Sequence, residues 1–218
     1  MRDFYTSVTG LLEIEARHVA IHWQLPERTR LAVVAPHAGR IEPATGELAL
    51  AIAGSDHGVY CFSGRDRSNN HRLHVTSTRF SEPRLEKVLL GAVAVVTVHG
   101  CRLPADPVTL IGGSNHRFKR IIGATLADAG FAVERAHAPM AGKHPWNVTN
   151  RAAFGGVQLE ISRSQRDLLL TERRSRTGEH EGDCPCAFCR YVEAARRALD
   201  RYESTIATET QPKMVTRS

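Results

Sequence analysis

The chain has 218 residues, 42% hydrophobic and 24% charged, which is ordinary globular composition and enough for one domain with a real core. Its longest apolar run, residues 88–98, is broken by Gly91 and Thr97 and falls well short of the roughly 20 residues that a membrane-spanning helix needs. Twenty-nine basic against 23 acidic side chains give a net charge of +6, which excludes an acidic scaffold and concentrates anionic partners, nucleic acid being one of several.

No uninterrupted apolar stretch follows Met1-Arg2-Asp3-Phe4, so the sequence predicts no secretory signal and a cytoplasmic protein. Residues 31–35 then read as a buried strand stopped by Pro36. Thr45 caps a helix through Ala53, with Gly54 as its stop. Residues 59–62 and 73–77 read as strands, and Ser81, Glu82 and Pro83 open a helix that closes at Gly91. Residues 92–98, rich in valine, form a central strand covered on both faces. Ser114 or Asn115 caps a helix reaching Ala129, and Gly130 takes the left-handed stop position. In residues 157–161, Val157, Leu159 and Ile161 point one way, Gln158 and Glu160 the other. Phe188, Val192, Ala195, Leu199 and Tyr202 mark a last helix over 187–203, and residues 204–218 read as a flexible tail. Strands separated by helices predict a single α/β domain over residues 1–203, with a mixed or mostly parallel sheet flanked by helices.

In such sheets, sites form at the carboxyl ends of strands. The first strand leads into His37 and Glu42, the valine-rich strand ends at His99, and Glu160 lies near the end of the alternating one. Two neutral imidazoles and a carboxylate leave a tetrahedral zinc one position for water, which is what metal-dependent hydrolysis requires. A second carboxylate must then move the proton. His37, Glu42 and His99 can supply the first set and Glu160 the second. Singly, each has a plainer reading: a satisfied polar histidine, a capping or solvated Glu42, or a Glu160 paired with Arg163 or Arg151.

The segments 36–48 (PHAGRIEPATGEL), 73–78 (LHVTST), 98–101 (VHGC) and 156–162 (GVQLEIS) follow one another in a specific order. Together they resemble the poly-γ-glutamate hydrolase family, zinc enzymes of phages and bacteria. The resemblance implies a zinc-carboxypeptidase-like fold, one catalytic Zn2+ on His37, Glu42 and His99, and Glu160 as the catalytic glutamate. It also implies hydrolysis of γ-glutamyl amide bonds in a polyanionic polymer, by a protein released by lysis if phage-encoded; the short apolar run, independently, predicts no membrane partner. Ala38 stands where the family more usually has glycine, and Gly46 where serine is common; Ala38 is expected to narrow the pocket by one methyl group.

Arg151 and Arg163 flank Glu160 in sequence and are candidates to fork onto a substrate carboxylate, and His74 is a candidate to line the site. The five cysteines include a cluster, Cys184, Cys186 and Cys189, with His180 nearby. An odd, clustered count argues against a disulfide framework. The cluster reads first as incidental or redox-labile thiols and second as a structural metal site. Two other functions fit parts of the sequence: an amidohydrolase of small acyl-amino acids such as N-formylglutamate, and a basic nucleic-acid-binding module. The second is disfavoured by 6% aromatic residues and by basic pairs no longer than Arg173-Arg174 and Arg196-Arg197.

Overall fold

A computed structural model describes residues 3–27, 29–102, 104–174 and 186–210. Its strands are β1 (Val19–Gln24), β2 (Leu31–Gly39), β3 (Gly58–Gly64), β4 (Ala94–Cys101), β5 (Thr109–Gly112), β6 (Val133–Arg135) and β7 (Gly156–Ser162). They form one sheet in the order β1-β3-β2-β4-β7-β5-β6. The valine-rich β4 is therefore the middle strand, as its continuous apolar character requires. β3, β2, β4 and β7 run parallel, β1 is antiparallel to β3, and the parallel pair β5–β6 joins antiparallel to β7.

The helices are α1 (Val8–Glu15), α2 (Thr45–Ala53), α3 (Pro83–Gly91), α4 (His116–Asp128), α5 (Arg163–Arg174) and α6 (Ala187–Thr210). Alternate residues of β2 and β4 feed opposite layers. Val33, Ala35, Val96 and Val98 pack with Leu48 of α2, Phe118 of α4, Leu169 of α5 and Tyr191 of α6. Ala32, Val34 and Val95 pack with Leu11 of α1 and Leu85 of α3. The chain is thus a single α/β domain with a seven-stranded, mostly parallel mixed sheet. Among the described residues no helix is long and apolar enough to cross a membrane.

Several local expectations change. Pro36 does not end β2. The β2–β3 register runs from Ala35↔Cys61 to Ala38↔Ser63, so one extra residue bulges out at Pro36-His37, where a missing N–H costs no ladder bond. Residues 73–77 are not a strand: a 3-10 turn, His71–Leu73, leads into a segment held by side chains. There Asp3 accepts from the Thr76 N–H at 2.8 Å and from His74 Nδ1 at 2.8 Å. Thr45 is the first helical residue rather than the cap of α2; Ala44 caps it in the left-handed region, φ 78°. The last helix continues past 203 to Thr210, because Ile206 is still buried in the core.

Candidate metal centre

β2 and β4 are parallel neighbours, so His37 and His99 emerge side by side at their carboxyl ends. His37 lies in the bulge, which re-aims its side chain out of the regular pleat. The chain turns at once: Glu42 N–H donates to the His37 carbonyl at 2.8 Å, and the Thr45 hydroxyl donates to the Glu42 carbonyl at 2.8 Å. The start of α2 thereby returns the Glu42 carboxylate to the histidine. Glu42 Oε1 is 3.2 Å from His37 Nδ1, and Oε2 is 3.6 Å from His99 Nδ1. Gly100 N–H donates to Oε2 at 2.8 Å and fixes the carboxylate plane.

The donor atoms of His37, Glu42 and His99 all lie within 4.8 Å of one another. His37 Nε2 lies 2.9 Å from the Val75 carbonyl. A carbonyl only accepts, so Nε2 donates to it, and in the neutral ring Nδ1 is the nitrogen left to present its lone pair to the cluster. His37 Nδ1 and His99 Nε2 are buried without a hydrogen-bond partner. Buried ring nitrogens left bare are costly unless something binds them. This donor set fits zinc, with a position left open. Burial works against ionisation of Glu42, but His37 and His99 outweigh it and hold the carboxyl well below the usual carboxylate range. For His99 burial opposes protonation, while Glu42 and Glu160 raise its pKa on balance.

Glu160 stands directly across from His99 in the β4–β7 register. Its side chain accepts from Gln158 Nε2 at 2.8 Å. Gln158 is itself fixed: Nε2 also donates to the Met140 carbonyl at 3.0 Å, and Oε1 accepts from Asn147 Nδ2 at 3.2 Å and the Thr149 hydroxyl at 3.3 Å. Burial raises the Glu160 pKa, opposed by the neighbouring His99 and reinforced by Glu42. All of β7 is buried, so the polar side of its alternation faces this network rather than solvent.

These groups share a cleft of about 560 Å³ whose far wall is the loop through Ala138, Lys143, His144 and Asn147. His74 lines it too, stacked on His37 at 4.1 Å between ring centroids. Burial first, and His37 second, push the His74 pKa down to about 4. Arg166 lies beneath, 4% exposed. It donates to the carbonyls of Ile161 (3.1 Å), Pro43 (2.8 Å) and Cys101 (3.1 Å), tying together the segments that carry Glu160, Glu42 and His99.

Two expected residues do not reach the cleft. Arg151 donates to the Phe80 carbonyl at 2.9 Å and pairs with Glu86, while Arg163 pairs with Asp167 one turn along α5, at 2.8 Å. Ala38 does not narrow the cleft either: it is buried in the core, and a Cβ built on Gly46 would lie 2.9 Å from the Ala38 Cβ. The Ala38 methyl fills the space that Gly46 leaves. In the cysteine cluster, Cys186 Sγ and Cys189 Sγ lie 3.2 Å apart, and His180 and Cys184 fall outside the described residues. Sequence reasoning missed Lys143, Asn147, Arg166 and Asp3. Gln158 alone carried a signal, its two-residue spacing from Glu160 on an alternating strand.

A family model described as poly-gamma-glutamate hydrolase matches residues 5–194. Among curated proteins, YmaC of Bacillus subtilis (strain 168) is 29% identical over 203 residues, covering 91% of this chain and 85% of YmaC. The SPbeta prophage-derived YoqZ of the same organism is 35% identical over 140 residues, 63% of this chain and 50% of YoqZ. Among solved structures, a bacteriophage poly-gamma-glutamate hydrolase superposes with a TM-score of 0.82 at 32% identity, covering 94% of this chain and 100% of that one. Zinc-free YndL superposes with a TM-score of 0.78 at 25% identity, covering 92% and 99%.

Proposed function

The chain belongs to the poly-gamma-glutamate hydrolase family, and from that premise we propose that it cleaves γ-glutamyl amide bonds of poly-γ-glutamate with one zinc ion held by His37, Glu42 and His99. The observation that carries this reading is the buried donor set: two ring nitrogens without partners flank an ionised Glu42, with Glu160 across the strand pair. The zinc-free designation of the YndL structure supports zinc as the ion. Bound there, zinc supplies Lewis acidity to the amide carbonyl and acidity to a water.

The chain's own groups do the rest. Glu160 takes the proton from the attacking water and passes it to the leaving nitrogen. Its burial suits both halves of that task, since a raised pKa lies closer to the working pH. Gln158 holds the receiving oxygens in place. His74 donates Nδ1–H to Asp3 and stays neutral above about pH 4, so its Nε2 is an acceptor for a substrate N–H. Lys143, on the cleft wall, takes the charge-neutralising role that sequence assigned to Arg151 and Arg163.

The test compares poly-γ-glutamate with α-linked polyglutamate, which carries the same charge per residue. Zinc-loaded protein should shorten the γ-linked polymer on size-exclusion chromatography and leave the α-linked one intact. Equal cleavage of both would overturn the linkage, and cleavage of neither by protein carrying zinc would overturn the activity.

A further inference from the structure

A second cavity, of about 490 Å³, opens between α4 and the edge strand β6. His116, Lys119, Arg120 and Arg135 line it, with Glu134 as the one carboxylate on its wall. Among the described residues, none of the ion pairs involves Lys119, Arg120, Arg135 or Lys143. Lys119, Arg120 and Arg135 share one cavity wall, and the Lys119 pKa is lowered, first by burial and then by Lys143 and Arg135. Like charges that outnumber their counter-charges cost energy that an anionic ligand removes.

This cavity abuts the metal cleft. Gly113 N–H donates to the Ala141 carbonyl on the cleft wall at 2.9 Å, while the Gly113 carbonyl accepts from Lys119 Nζ at 2.9 Å. One glycine thus joins the two walls, and Lys143 stands on the loop between them. A polyamide chain with one α-carboxylate per residue that leaves the cleft on the Lys143 side enters the cavity lined by Lys119, Arg120 and Arg135.

We propose that this cavity is a polymer subsite, binding α-carboxylates of poly-γ-glutamate residues beyond the scissile bond. The proposal rests on the substrate reading above and adds to it a reason for preferring long chains. The scissile residue is held in the cleft, and its neighbours are held by cations that touch no reacting atom. Single-stranded nucleic acid presents charge at similar intervals, but His116 is the one aromatic ring among the lining residues, whereas a single strand is held by stacking successive bases on several.

The experiment uses zinc-loaded Glu160→Gln protein, which binds without turnover, and fluorescein-labelled poly-γ-glutamate read by anisotropy. Arg120→Glu and Arg135→Glu should each weaken binding of the long polymer by about tenfold and flatten its salt dependence. Lys87→Glu makes the same change in net charge on the opposite edge, beside Trp23 of β1, and should weaken it less than about twofold. Glu134→Gln should tighten binding. With Glu160 restored, the advantage of long polymer over a γ-glutamyl trimer in kcat/KM should shrink by a similar factor in the arginine variants. Equal losses for Arg120→Glu and Lys87→Glu would overturn the subsite. So would tighter binding of a single-stranded oligonucleotide of matched charge, lost with the same substitutions. If the binding differences stand but wild-type protein cleaves nothing, the catalytic reading falls and the subsite survives.

Discussion

The contact between Ala38 and Gly46 makes a quantitative demand on stability next to a candidate ligand. Gly46→Ala places a methyl 2.9 Å from the Ala38 Cβ, closer than two such carbons approach. Neither can swing away: Ala38 is pinned in β2 opposite Ser63, and residue 46 is fixed in the first turn of α2. Overpacking of this kind costs roughly 1–3 kcal/mol, offset by at most about 1 kcal/mol of helix propensity gained over glycine. In an Ala38→Gly background the clash disappears and only the propensity gain remains. The two substitutions should therefore couple favourably by roughly 1–3 kcal/mol, within the range seen for touching residues. Urea unfolding of metal-free protein gives the four free energies of the cycle, and melting should follow at about 2–4 °C per kcal/mol for a domain of this size. If Gly46→Ala costs the same in both backgrounds, to within about 0.5 kcal/mol, the contact is not what sets these two residues.

Glu160→Gln should keep one zinc per chain by metal analysis while kcat falls by roughly two to four orders of magnitude; loss of the zinc would make Glu160 a ligand instead. His99→Ala should lose both metal and turnover, and full zinc occupancy in that protein would remove His99 from the site. Gln158→Met deletes a donor to the Glu160 carboxylate, so the charged form loses support and the Glu160 pKa rises. The acidic limb of kcat/KM should then move to higher pH than in wild type, and a limb that stays put would separate Gln158 from the base. Serine at Cys186 and Cys189 should leave zinc content and turnover as they are, whereas a fall in zinc would make the cluster a metal site.

The parts of this structure legible in sequence were those written as periodic burial. Valine without interruption placed β4 at the centre of the sheet, and alternation on β7 put Gln158 and Glu160 on one face. The candidate ligands were legible because strand ends can be found without knowing the loops between them. Pro36 misled because a proline ends a regular strand but is harmless in a bulge. Residues 73–77 misled because their β-like composition serves a segment fastened by Asp3, a residue more than 70 positions earlier. Nearness in sequence also failed as a guide to nearness in space. Arg163 is three residues from Glu160, yet α5 begins there and turns it toward Asp167. Lys143 comes from a loop with no periodicity, tied to the cleft through its carbonyls by Gly113, Gln158 and Asn150.

The position of β7 in the sheet governs how a growing chain can assemble. β7 inserts between β4 and β5, so β5 and β6, though made earlier, have no strand to dock on until it emerges. During that interval the valine-rich edge of β4 stays unpaired. Some 60 residues separate the two strands, roughly 3–12 s of synthesis at about 5–20 residues per second. An apolar open edge is a template for pairing with other chains. The strand that brings Glu160 to the cleft is therefore also the one that closes the nascent sheet. Overexpression at a temperature that slows synthesis, or with a chaperone that shields strand edges, is expected to decide how much of this protein is recovered soluble.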